Sequence, residues 1–375
     1  MTSRLGAPRE VLIVAPPASR RVRAFQQTLR EHGWPSARVV SYLDVLHGQV
    51  RLRDEVRAGS VVRLDSPGED PETEAALLRL GAPRRDLPVD LAGGELLPAR
   101  PWYRGLGLAL DAVERELRGA APHLRMQTTN GTLAMFDKRV THARLAAAGV
   151  SVPEALGEVT SFDGLMEGLA SRGWARVFVK LAHGSSASGA VALELASGHV
   201  QATTTVEVVR SAGGVKLYNS RRLLRVRGVH GVRELIDALV GHGLHVERWV
   251  PKAGLHGRVL DLRVVVIAGR ARHVLVRLGR GSMTNLHLGG DRGDVAEVRD
   301  RLGEERWTAL LGSAEAALAC FPGSLYAGVD VLVTPNWRRH VVCEVNAFGD
   351  YHRGVLHDGL DTYGAELAAL TGGAA

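Results

Sequence analysis

The apolar positions open the chain as a solid block. Val11 to Pro17 reads VLIVAPP, a run suited to a strand buried on both faces, and a helical stretch from about Arg21 to His32 follows, closed by Gly33. Val39 to Tyr42 and Ser60 to Leu64 repeat the strand grammar, so residues 1–125 predict a small open α/β domain. Asn130 to Ala148 reads as a helix-rich entry to a second unit that stops at Gly149, with Pro153 beyond. The strand RVFVK (Arg176 to Lys180) comes next, then a loop of small residues from His183 to Gly189 and the strand AVALEL (Ala190 to Leu195). Thr204 to Val209 and Leu223 to Arg227 bracket a Gly213-Gly214 turn and predict an extra hairpin, a guess for a lid or acceptor groove. Glu234 to Val240 predicts a short helix, and His245 to Val250 a strand ended by Pro251. The last third alternates strands Asp261 to Ala268 and His273 to Leu278, a Gly-rich loop to Gly293, a helix from about Glu305 to Ala319, and a hairpin of Gly328 to Thr334 with His340 to Asn346.

Length and composition narrow the class. A chain of 375 residues predicts two or three packed subdomains. No window reaches the apolar length of a membrane span, and the polar N-terminal lead runs straight into a strand without a cleavage site, which predicts a cytoplasmic protein. Cys320 and Cys343 stand in apolar surroundings without metal-ligand spacing and read as reduced core residues. The net charge of +7 raises nucleic acid as a partner, but the basic residues are spread along the chain and not interleaved with aromatics, which argues against it. Only four of the 47 basic residues are lysine: Lys138, Lys180, Lys216 and Lys252. A compact ammonium is not replaced by a planar guanidinium wherever a point charge is needed, so each lysine is a candidate for chemistry.

The final hairpin carries the clearest signal. Side chains two apart on a strand share a face, so Glu344 and Asn346 point the same way. If Thr334 pairs with His340, Asp330 falls opposite Glu344. Facing carboxylates on otherwise apolar strands repel unless one is protonated or a cation lies between them. Two carboxylates and an amide suit Mg²⁺ or Mn²⁺ rather than zinc, and magnesium with few protein ligands completes its shell with water and phosphates. The alternative is a solvated hairpin edge.

Two further stretches are weaker. FVKLAHGSSASGA ends a strand in Lys180 and enters a loop whose backbone N–H groups could approach phosphate, but no GxxxxGK[ST] follows, so a Walker A loop is excluded. HVERWV is an apolar strand interrupted by Glu247, either a solvent-facing acid on an edge strand or a hinge that reads an adenine edge.

These pieces, in this order, resemble the ATP-grasp superfamily, and within it the RimK-like branch of ribosomal-protein glutamate ligases. The resemblance covers about residues 128–348 and rests on FDKRVTHARLAAAGVSVP, RVFVKLAHGSSASG, HVERWV, LDLRVVVIAG, MTNLHLGG, AGVDVLV and VVCEVNAFG. It implies an ATP-grasp fold of mixed α/β and α+β class: an N-terminal domain over 1–125, a central lobe over 126–252 and a C-terminal lobe over 253–375, with ATP between the lobes. It further implies that Lys138 and Lys180 contact the ATP phosphates, with Ser185, Ser186, Gly189 and Asn285 as further nucleotide contacts. Glu247 and the backbone of Trp249 and Val250 would hold adenine, and Asp261 the ribose. Arg277 and Arg263, with Lys180, would serve the transferred phosphoryl group, and Asp330, Glu344 and Asn346 would bind Mg²⁺ or Mn²⁺.

The reaction so implied is phosphorylation of a carboxylate donor followed by amine attack on the acyl phosphate, which needs positioning and charge neutralisation rather than a nucleophilic triad. The partners expected are ATP, a carboxylate donor and an amine acceptor, with a homo-oligomer left open. A small-molecule kinase and a non-catalytic ATP-binding protein are the alternatives. After Asn346 the chain departs from the relatives' small residues and proline and reads AFGDYHRG, so a different acceptor is expected there; His352 and His357 are read either as substrate contacts or, preferred, as incidental surface histidines.

Overall fold

The computed structural model describes residues 9–68, 70–82, 94–184, 188–196, 198–211, 214–284, 289–348, 352 and 354–372. Three sheets organise the described residues. The first is parallel, with strands Arg38–Val40, Val11–Val14, Val61–Leu64 and Leu124–Arg125 in that spatial order. It is covered on both sides, which is why its strands are continuous apolar runs. Leu12, Val14, Val62 and Leu64 pack with the helix Ala99–Arg118 on one face. Val11, Ile13 and Val61 pack on the other with the helix Arg20–Glu31 and the C-terminal helix Thr362–Leu370.

Arg63 interrupts that second face. It is fully buried, bonds Glu366 of the C-terminal helix at 2.5 Å, and lays its guanidinium 4.4 Å from the Phe25 ring centroid and 5.0 Å from that of Tyr363. A buried guanidinium needs a counter-charge and tolerates aromatic faces, so this contact ties the chain's end to its first sheet.

The second sheet is antiparallel, in the order Gly214–Arg227, His199–Ser211, Val191–Ala196, Arg176–Leu181, Leu244–Arg248. Its outer hairpin is much longer than expected, with a bulge between Thr204 and Val206, and its free edge is met by the segment at Glu95 bridging Tyr218. The third sheet runs Asp291–Gly293, Arg270–Gly279, Arg258–Ile267, Tyr326–Val333, His340–Asn346, and Gly254–Leu255 pairs beside Arg258–Ile267.

The helix-rich stretch expected over Asn130 to Ala148 resolves into two helices, Thr129–Phe136 and Lys138–Ala147. Asp137 between them is extended (φ −101°, ψ 107°), and its carboxylate accepts from the Arg139 and Val140 backbone N–H groups, so it caps the second helix and places Lys138 at its first position. Helices Pro71–Gly81, Val295–Leu302 and Thr362–Leu370 fall outside the elements that periodicity predicts. Among the described residues, no helix is long and apolar enough to cross a membrane.

Candidate active site

The third sheet separates its chemistry by strand alternation. Leu260, Leu262, Val264, Val276, Val329, Val331, Val342 and Val345 belong to the core. Residues of the opposite parity form the other face, where Arg263 pairs with Asp330 and Asp330 with Glu344, and where Asp261 pairs with Arg277. Arg263 donates through Nε and Nη2 to both Asp330 oxygens, the second at 3.1 Å. Arg277 donates its Nε to Asp261 at 2.6 Å and brings Nη2 to 3.1 Å from Asp330. Lys252 adds a third cation, 2.9 Å from Asp261 and 2.7 Å from the Thr284 hydroxyl.

The second sheet offers a smaller polar face. Phe178 pairs with Glu247 and Lys180 with His245, while Val177, Val179 and Val246 fill the core behind them. Lys180 meets the Glu247 carboxylate in an ion pair, and Glu247 is 4% exposed. The solvent-facing reading of Glu247 is thereby removed.

Lys138 joins the two faces. Its ammonium lies 2.6 Å from Glu344 of the third sheet and donates to the Gly184 carbonyl at 2.5 Å, just past the end of the second sheet's strand Arg176–Leu181. Electrostatics shows the same closeness, since Lys180 is among the cations that hold Glu344 ionised.

Burial works against the Glu247, Asp261 and Glu344 carboxylates, and the cations outweigh it. The Glu247 carboxyl is held down to about 2, burial opposing and Lys180 prevailing. Asp261 is depressed below the usual carboxylate range, with burial opposed by Lys252 and Arg277, and Glu344 is depressed chiefly by Lys138 and Lys180 against its burial. Lys180 is correspondingly raised: burial lowers it, and the Glu247 charge more than restores it. Five basic side chains (Lys138, Lys180, Lys252, Arg263, Arg277) thus meet four acidic ones (Glu247, Asp261, Asp330, Glu344) in one cleft.

Asp330, Glu344 and Asn346 fit a hard divalent cation by their chemistry. All offer oxygen, and the Asn346 amide donates its N–H to the Gly328 carbonyl at 3.2 Å, which leaves the amide oxygen as its ligand atom. Among the described residues no group of three or more His, Cys, Asp or Glu side chains is arranged to hold a metal. Both Asp330 oxygens accept from Arg263 and one Glu344 oxygen meets Lys138, so a cation here would displace these contacts.

No profile of a known protein family matches the chain, and no curated protein matches it by sequence. Its structure does match. It is similar to the ATP-grasp ligase PsnB complexed with a minimal precursor over 97% of this chain and 99% of that one, at 15% identity and a TM-score of 0.54. The chain has the ATP-grasp fold. D-cycloserine synthetase DcsG matches over 96% and 97% of the two chains, at 17% identity and a TM-score of 0.53. The macrocyclase MdnC, bound with precursor peptide MdnA from Microcystis aeruginosa MRC, matches over 96% and 97%, at 11% identity and a TM-score of 0.51.

Within this ATP-grasp fold, Lys138, Lys180, Glu247, Asp261, Arg263, Arg277, Asp330, Glu344 and Asn346 come together at the faces of the two antiparallel sheets. Ser185, Ser186 and Asn285 lie outside the described residues. Other expectations change. The Trp249 N–H is given to the Arg176 carbonyl at 3.1 Å and is not available to a base. Gly189 has φ +69° and an added Cβ would meet Leu181 Cγ at 2.5 Å, so close packing against the strand accounts for this glycine. Asp261 is engaged on both oxygens by Lys252, Arg277 and Thr284 rather than open to a ribose.

Both cysteines are free and half-buried: Cys320 packs against the hydrophobic core as expected, whereas Cys343 sits beside Lys180 and Glu247 with burial pushing its thiol up. His352 is buried, not a surface residue, and His357 approaches His273 at 5.9 Å between centroids. Sequence reasoning gave Lys252 no specific role and missed Thr284 as a site residue. Lys252 carried a usable signal as one of only four lysines, and Thr284 lies in the MTNLHLGG stretch.

Proposed function

We propose that this chain is an ATP- and magnesium-dependent carboxylate–amine ligase of RimK-like type that forms an amide bond through an acyl phosphate on a peptide, protein or amino-acid-like substrate. The observation that carries the reading is the paired charge face of the cleft. Lys138 spans from Gly184 to Glu344, and Arg263 and Arg277 share Asp330. Such a set of fixed, desolvated charges suits a reaction in which charge on phosphoryl oxygens must be neutralised.

In this reading Lys138 and Lys180 exchange part of their carboxylate contacts for ATP phosphate oxygens. Arg277 and Arg263 face the transferred phosphoryl group, and Glu247 accepts from the adenine amine. Asp330, Glu344 and Asn346 would hold Mg²⁺ or Mn²⁺, which supplies charge neutralisation and a template for the phosphates. The donor carboxylate oxygen attacks the γ-phosphorus and ADP leaves; the acceptor amine then attacks the acyl carbon, phosphate leaves, and the amine proton passes to solvent or phosphate.

Peptide substrates are favoured because PsnB and MdnC are similar in fold over nearly the whole chain and are seen with the precursor peptides PsnA2 and MdnA. The test is to incubate the protein with ATP, Mg²⁺ and candidate carboxylate and amine partners. Phosphate release that requires both partners supports ligation. A phosphorylated product that accumulates without an amine indicates a kinase, and no nucleotide turnover or binding indicates neither.

A further inference from the structure

Two short stretches meet at the root of the small-residue loop. The Lys138 backbone N–H donates to the Ala182 carbonyl at 2.9 Å, and the Lys138 ammonium donates to the Gly184 carbonyl at 2.5 Å. Between those two bonds, His183 sets its Nε2 2.9 Å from the Asp137 carboxylate. The dipeptide Asp137-Lys138 therefore grips the tripeptide Ala182-His183-Gly184 at three consecutive residues.

The His183 ring is fixed on its other side as well. It stacks on Tyr103 of the helix Ala99–Arg118, with centroids 3.8 Å apart and planes within 10°. Asp137 and His183 are 5% and 8% exposed. Burial opposes ionisation of Asp137, but the bonds from His183 and Arg139 hold its carboxyl well below the usual range, so it is an acceptor only and the His183 proton must sit on Nε2. The His183 Nδ1 is buried without a hydrogen-bond partner. An apolar ring would stack on Tyr103 without burying an unsatisfied nitrogen, so what the imidazole adds is its bond to Asp137.

We propose that His183 is a positioning residue for nucleotide binding: it locks the Ala182–Gly184 backbone onto the capped first turn of the Lys138 helix and thereby holds the Lys138 ammonium at the phosphate end of the cleft. This rests on the ATP reading above. The same clasp explains why Lys138 can face Glu344 and Gly184 together. Its backbone is fixed by the Asp137 cap and the Ala182 carbonyl, so only the side chain remains to be placed.

The test is calorimetric titration of ATP–Mg²⁺ into the full chain and its Lys138→Ala, His183→Ala and doubly substituted forms. Because His183 acts through Lys138, His183→Ala weakens ATP about tenfold, and the double variant binds no worse than Lys138→Ala alone. His183→Asn, which keeps a donor toward Asp137, recovers most of the loss. If His183→Ala does not fold, Tyr103→Leu provides the second arm: it weakens ATP in the wild-type background and has no effect in the Lys138→Ala background. Wild-type affinity in His183→Ala, or losses that simply add, overturn the proposal while leaving the ATP reading intact. A wild-type protein that binds no ATP overturns both.

Discussion

Asp330 faces Glu344 across the last hairpin because of a β-bulge at Cys343. The ladder begins with Val333 opposite His340, one residue from the expected Thr334 pairing, and shifts between Val331 and Asp330 so that Asp330 meets Glu344. In a regular ladder with the same start, Glu344 would oppose Val329 and be turned toward the apolar core. The extra residue puts both carboxylates on the cleft face, where Arg263, Arg277 and Lys138 meet them.

Glu344→Gln is the cleaner test of this pair. Lys138 is 13% exposed and can be rehydrated when its partner becomes neutral, so the thermal midpoint should move by no more than about 4 °C while turnover falls about 10²–10³-fold. Asp330→Asn should also be inactive, but it removes the anion shared by Arg263 and Arg277, at a cost of about 3–5 kcal/mol, so lost activity there would be mixed with lost stability. Phosphate release and thermal melts on the two variants separate these effects, and full activity in Glu344→Gln would remove it from the site.

The Lys180–Glu247 pair predicts a stretch of acid sensitivity. The Glu247 carboxyl is lowered from 4.5 to about 2, so its contribution to stability is fully present above about 4.5 and is lost as pH falls toward 2. Denaturant melts across that range should show the wild type losing stability more steeply than Glu247→Gln. At neutral pH the variant should be less stable by about 3–5 kcal/mol, because Lys180 keeps its charge without a partner. Parallel pH profiles for the two proteins would contradict the pairing.

Lys252 should set the acid limb of activity through Asp261. It is one of the two cations that depress the Asp261 carboxyl, so Lys252→Met moves Asp261 ionisation to higher pH. The acid limb of the pH–rate profile should then shift upward, with the alkaline limb in place. An unchanged acid limb would show that Asp261 ionisation is not coupled to turnover.

Much of the cleft was legible because strand alternation fixes which side chains share a face: Glu344 with Asn346, Asp261 with Arg263, and the apolar residues between them. The hairpin argument reached the right pair from a wrong register, since local pattern does not announce a bulge. The partners of each charge were less accessible. That Lys138 reaches Glu344, or that Asp137 binds His183, depends on contacts between residues far apart in the chain, which periodicity cannot supply. The C-terminal helix was passed over for a related reason: nearly all of it is buried, so it shows no amphipathic stripe.

The most direct test is calorimetric titration of ATP into the wild-type protein and Glu344→Gln, with and without Mg²⁺. A phosphate-and-metal cleft predicts wild-type binding that strengthens about tenfold or more when Mg²⁺ is present, and a variant in which that dependence is lost. ATP binding that is absent, or equal in both proteins with and without the metal, would contradict it.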